Sequence, residues 1–199
     1  MDPPFQTAGS DGRPSGLAID LVREAARRRG IRLEWIPKPE GPETAMLGNA
    51  VDLWPFLTLT PERTKLFHIT DAFLETELCL LVPAASRFTR VSDLAQGAIS
   101  LQDMPINLRW VHATLPDARL LPMPTTRDAV SQVCQGRADA AFLEEYNAVE
   151  TLLSGGSCAN VELRWITVPD KRSRLGVGST FAAGRAADAI RDEIACPAR

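Results

Sequence analysis

The sequence predicts an α/β protein organised as two similar lobes around largely parallel sheets. Strand-like apolar runs alternate with helical stretches along the whole chain, which is the pattern of βαβ units. One arrangement also occurs twice. Gly48-Asn49-Ala50-Val51-Asp52-Leu53 and Gly136-Arg137-Ala138-Asp139-Ala140-Ala141 each run from a helix through a glycine stop into a buried strand with an acid near its start. A third observation gives the lobes a purpose. The stretch Val51 to Arg63 passes from strand through hydroxyls into Thr60-Pro61-Glu62-Arg63, where Thr60 is a good N-cap, Pro61 a good first helical residue and Glu62 a first-turn acid.

Element by element, Gly16 to Gly30 reads as an amphipathic helix with Leu17, Leu21, Ala25 and Arg28 at helical spacing and Ile19-Asp20 and Val22 flanking the apolar face. Arg27-Arg28-Arg29 close its last turn and Gly30 stops it. Ile31 to Ile36 alternates as a strand, and a short helix around Glu43 to Leu47 leads to the strand at Val51. Leu66 to Thr70 and Glu77 to Val82 read as strands. After Pro83 the pattern restarts: a helical turn at Val91–Leu94, a strand at Ala98–Leu101, a helix at Ile106–Thr114 and a strand at Arg119–Leu121. Thr125–Gly136 is a helix, Ala138–Leu143 a buried strand and Glu144–Leu153 a helix. Strands at Val161–Ile166 and Leu175–Gly178 and a helix at Ala182–Ala195 complete the chain. Trp35, Trp110 and Trp165 are expected in the core.

Composition narrows the function. A chain of 199 residues suits one large domain or two small lobes, and its hydrophobic fraction of 45% is ordinary for a globular protein. A net charge of -3 with no basic run argues against nucleic acid as a partner. No stretch is long and apolar enough to insert in a membrane, and the opening Met1-Asp2-Pro3-Pro4-Phe5 is no signal segment. The chain is therefore cytoplasmic, or begins after export signals were removed. The four cysteines lack C-x-x-C spacing, and His68 and His112 stand apart, so no metal or cofactor is expected. Cys79 reads as a buried small hydrophobe; a disulfide, Cys134 with Cys158 for example, is open to an exported chain. Ser154-Gly155-Gly156-Ser157 has no lysine and no following helix, so it is no phosphate loop.

The candidate site follows from where strands end. In open α/β sheets ligands bind beyond the carboxyl ends of the strands. Thr58 and Arg63 follow one copy of the repeat and Glu144 follows the other. Arg63 can hold a carboxylate by a two-pronged hydrogen bond, and a cleft between the lobes would bring that cation and the Glu144 anion to face each other across a small molecule. A small anionic or zwitterionic molecule is the expected ligand.

These motifs resemble the family 3 extracytoplasmic solute-binding proteins of the polar amino-acid-binding type. The resemblance rests on Pro4-Phe5, Asp11-Gly12 with Gly16-Leu17-Ala18-Ile19-Asp20-Leu21, Val51-Asp52-Leu53 and Leu57-Thr58-Leu59-Thr60-Pro61-Glu62-Arg63. Asp71-Ala72-Phe73 and Gly136 to Phe142 complete it, so it covers nearly the whole chain. It implies a two-lobed periplasmic-binding-protein type 2 fold, with two mainly parallel sheets joined by two hinge strands near Leu80–Ala84 and Ser173–Gly178. Lobe 1 would be 1–82 with 174–199, and lobe 2 would be 83–173. It implies a periplasmic ligand-binding module that closes on an amino acid or related amine or carboxylate. A membrane permease of ABC-type uptake, or the signalling domains of a receptor such as a histidine kinase, would be its partner.

By resemblance Arg63 holds a carboxylate, Thr58 assists it, Glu144 holds an α-amine and Phe5 lies near the aromatic lid. Two departures bear on ligand choice. Trp54-Pro55-Phe56 is bulky where a small residue is usual, and Gln102-Asp103-Met104-Pro105 replaces the usual glycine-threonine anion loop, which brings Met104 to the pocket wall beside Trp54 and Phe56. Measured against the family, the chain starts late in the first strand and ends early, as a binding domain of a larger receptor or a compact version would. An enzyme of the cyclohexadienyl dehydratase kind is the alternative on this fold, with Glu144 as its acid or base. A degenerate receptor that contacts a protein through Trp54, Phe56 and Met104 is a third reading.

Overall fold

The structure is a computed structural model that describes residues 5–8, 13–38, 40–154, 158 and 160–195. The chain divides into two compact units. Unit 1 comprises residues 1–75 and 173–199, and unit 2 comprises 76–172. The crossings thus fall at Glu75/Thr76 and Arg172/Ser173.

Unit 1 opens with a short antiparallel pair, β1 (Thr7–Ala8) and β2 (Pro14–Ser15). Helix α1 (Leu17–Arg28) follows, and Gly30 beyond it has φ +68, a left-handed conformation that costs glycine little and other residues more. The buried face of α1 is Ala18, Ile19, Val22, Ala25 and Ala26. That corrects the expected stripe, since Leu17 is 52% exposed and Leu21 is exposed too. The face is turned by one residue because three small alanines let α1 approach its neighbours closely. Val22, Ala25 and Ala26 pack with Val177, Ala187 and Ile190. Each fully buried valine or isoleucine there contributes about 1.5–3 kcal/mol.

Residues 31–38 form no strand, a second correction. The alternation holds in burial, since Ile31, Leu33 and Trp35 pack on the same core while Arg32, Glu34 and Ile36 are exposed. Period 2 marks which side chains turn inward, but a ladder also needs a partner strand. Next come α2 (Pro42–Leu47), β3 (Leu53–Thr58), α3 (Arg63–Leu66) and β4 (His68–Ile69).

Unit 2 begins within β5 (Leu74–Pro83) and contains β6 (Ala98–Gln102), α4 (Pro105–Thr114), β7 (Arg119–Met123), α5 (Thr126–Cys134), β8 (Ala140–Glu144) and α6 (Glu145–Ser154). β6 lies between β7 and β8, parallel to both, and β8 pairs antiparallel with β5. The sheet is mixed. These strands read as continuous apolar runs because both faces are covered. Leu78, Leu80, Ile99, Leu101, Ala140 and Phe142 enter one core, while Cys79, Leu81, Ala141 and Leu143 enter the other with Val130 and Val133 of α5. Ser100, fully buried, donates its hydroxyl to the carbonyls of Ala129 and Ala140. Cys134 and Cys158 form a disulfide with Cα atoms 5.3 Å apart.

β9 (Leu163–Ser179) is one continuous strand where the sequence suggests two. Trp165 is a correction. It is 39% exposed because the alternation that buries Ile166 and Val168 turns it to the other face. The last part of β9 returns to unit 1, where it pairs antiparallel with β3 and β4. Helix α7 (Gly184–Ala195) closes unit 1 against α1.

Candidate functional site

In unit 1 the site builds from β3 and the turn after it. The register of β3 on β9 shifts between Trp54 and Leu57. Pro55 lies inside that irregularity, where its missing N–H costs no ladder bond. The shift separates the two aromatic residues that the sequence placed together. Trp54 packs with Met46, Leu57 and Phe67. Phe56 is buried in a stack with Phe5, with ring centroids 4.7 Å apart and planes at 15°, and Phe73 lies tilted 6.2 Å from it.

Regular helix begins only at Arg63, but Thr60 acts as the cap. Its hydroxyl accepts the Arg63 N–H at 3.2 Å and its carbonyl accepts the Thr64 N–H at 3.0 Å. This fixes the Arg63 backbone at the end of β3. The Arg63 side chain is 9% exposed. Its Nη1 donates to the Thr58 carbonyl at 3.2 Å, so Thr58 meets Arg63 through its backbone. Its Nε donates to Glu43 Oε1 at 2.7 Å. Among the described residues no acceptor is bonded to Nη2. Glu43, in the first turn of α2, is the site residue that sequence reasoning missed. Its spacing from Arg63 follows no local periodicity, and as a helix-start acid it looks like any other.

In unit 2 the parallel strands β7, β6 and β8 end together, at Met123, Gln102 and Glu144. Met104, half-buried, caps α4 just beyond β6, with exposed Asp103 before it. Thr126 Oγ1 donates to Gln102 Oε1 at 3.4 Å. Glu144 is half-buried at the end of β8, opposite Leu78 of β5. Burial first, then the charges of Glu144, Glu145 and Glu77, push the Cys79 thiol up to about 12, which leaves it unreactive. The acid of the second repeat copy is structural, since Asp139 Oδ2 accepts the Ala98 N–H at 2.8 Å.

Arg63 with Thr58, and Phe5 with Phe56, are thus brought together within unit 1. Trp54 faces a separate cluster there, and Glu144 and Met104 belong to unit 2.

Comparison with known proteins adds the family. Residues 1–173 match the bacterial extracellular solute-binding proteins, family 3. No curated relative matches the sequence. Among solved structures, holo ArgBP from T. maritima is similar with a TM-score of 0.80 at 21% identity, covering 96% of this chain and 84% of that one. A histidine kinase sensor domain with similarity to periplasmic binding proteins gives a TM-score of 0.83 at 17% identity, covering 98% and 85%. An ancestral amino acid-binding protein, a precursor of cyclohexadienyl dehydratase, gives 0.80 at 20% identity, covering 97% and 84%. At these identities the likeness establishes the fold, which is that of the type 2 periplasmic binding proteins.

Proposed function

We propose that this chain, which belongs to the bacterial extracellular solute-binding proteins of family 3, binds an amino acid or closely related amine-bearing carboxylate outside the cytoplasm. Arg63 takes the ligand carboxylate with help from Thr58, Glu144 takes the amine, and Phe5, Phe56 and Met104 flank its apolar part. Trp54 packs with Met46, Leu57 and Phe67 in unit 1. Each charge-assisted bond made to the ligand would add about 1.5–3 kcal/mol. Closure driven by that gain would be the signal passed to a membrane permease or to the signalling domains of a receptor.

The observation that carries this reading is the Arg63 guanidinium, almost fully buried at the end of a strand yet keeping Nη2 unbonded among the described residues. The Cys134–Cys158 disulfide supports an oxidising, extracytoplasmic setting. Arginine binding by ArgBP makes the basic amino acids the first candidates.

Equilibrium binding of the amino acids, measured by calorimetry, tests the proposal. A ligand that binds wild type, loses at least tenfold in affinity with Glu144→Gln and is lost with Arg63→Ala is the expected result. Equal affinity in all three proteins would refute the assignment of these residues. The ancestral dehydratase precursor among the similar structures motivates a catalytic control. Prephenate and arogenate should remain unconverted by pure protein; turnover lost in Glu144→Gln would establish the enzyme instead.

A further inference from the structure

Arg63 already holds a carboxylate. Glu43 Oε1 accepts from Nε at 2.7 Å, and the Thr58 carbonyl accepts from Nη1 at 3.2 Å. Of the five guanidinium N–H groups, a carboxylate arriving from solution can therefore reach only those at the Nη1/Nη2 end. It must settle there beside a negative charge that the protein has itself supplied. The two partners differ in setting. The Arg63 side chain is 9% exposed and pinned, whereas that of Glu43 is 44% exposed at the start of a six-residue helix. A guanidinium this buried needs a counter-ion, and Glu43 supplies it within unit 1.

We infer that Glu43 is an internal counter-ion that sets the charge selectivity of the Arg63 site. It neutralises the guanidinium in the unligated protein, so the site does not attract anions in general. It favours a carboxylate from a ligand whose own cation offsets the crowding of two carboxylates around one guanidinium. Like charges about 5 Å apart at a partly screened site repel enough to change affinity by roughly tenfold or more. The ligand class narrows accordingly, to basic or neutral amino acids and not dicarboxylates. The inference rests on Arg63 being the carboxylate site proposed above.

The test uses simple carboxylates, because they do not depend on knowing the natural ligand. The Arg63 Nε–H resonance of the whole chain is followed during titration with acetate in wild type and in Glu43→Gln. The substituted amide keeps an oxygen that can accept from Nε, so the variant removes only the charge. Acetate should bind Glu43→Gln about tenfold more tightly than wild type. Equal or weaker binding would overturn the inference and leave Glu43 as a mere positioning group. A resonance that acetate moves in neither protein would sink the carboxylate reading of Arg63 itself, and the inference with it. Wild type alone supplies a second measurement should the variant fold poorly. Glycine should bind more tightly than acetate, and acetate more tightly than malonate; the reverse order, which an unmasked arginine would give, overturns the inference.

Discussion

At the residue scale, close approach governs unit 1 as strongly as charge does. A Cβ on Gly176 would lie 2.7 Å from the Thr70 carbonyl oxygen, and one on Gly178 would lie 2.5 Å from Leu57 Cδ2. The first obstacle is backbone held in the β9 pairing, and the second is a packed side chain that can partly give. Gly176→Ala should therefore lower unfolding free energy by about 2 kcal/mol or more in denaturant titration, and Gly178→Ala by less. Charge is testable at Glu24. Hydrogen bonds from Arg27 and Arg28 lower its carboxyl from the ordinary 4.5 to about 2. A lowered carboxyl stabilises the native state above 4.5, and that contribution is lost as pH falls toward 2. Carboxyl chemical shifts should show Glu24 titrating far below the other glutamates, and about 1 M salt should move it back up, since the trio is exposed. Arg63 at the end of β3 is legible in the sequence from Thr60-Pro61, because a cap and a first-turn proline are local signals. Its bond to Glu43 is not, because a contact between two helices 20 residues apart has no period.

At the scale of elements, local chemistry is legible where ends are set locally. The Thr125 hydroxyl accepts the Asp128 N–H at 3.1 Å and starts α5, and Gly30 follows the end of α1. Pairing is less legible. Ile31 to Ile36 has strand alternation without a ladder, and two expected strands merge into β9 even though Pro169-Asp170 lies between them and Asp170 takes φ +55. The face of α1 differs by one residue from its apolar spacing because alanines carry little hydrophobic signal yet permit the closest packing. The Cys134–Cys158 disulfide ties α5 to the segment after α6 across 24 residues. Replacing both cysteines by serine should reduce stability by about 3 kcal/mol, and hydrogen exchange should accelerate in α5 and α6 before α1 and α7.

At the scale of the whole molecule, the repeated helix, glycine and strand arrangement reads as two units, and the chain divides into two. What the repeat does not convey is that unit 1 takes the end of β9 and α7 from the far end of the chain, since a repeat records similarity and not connection. The proposed function is a claim about the whole chain. Its most direct test is thermal melting against a panel of amino acids, amines and small carboxylates, with Arg63→Ala run beside wild type. A ligand that binds only the native state raises the melting temperature, by about 2.7 kcal/mol of stability at one hundred times its dissociation constant. The account predicts a shift with at least one amine-bearing carboxylate, basic amino acids foremost, in wild type and not in Arg63→Ala. An equal shift in both proteins, or none with any compound, would contradict it.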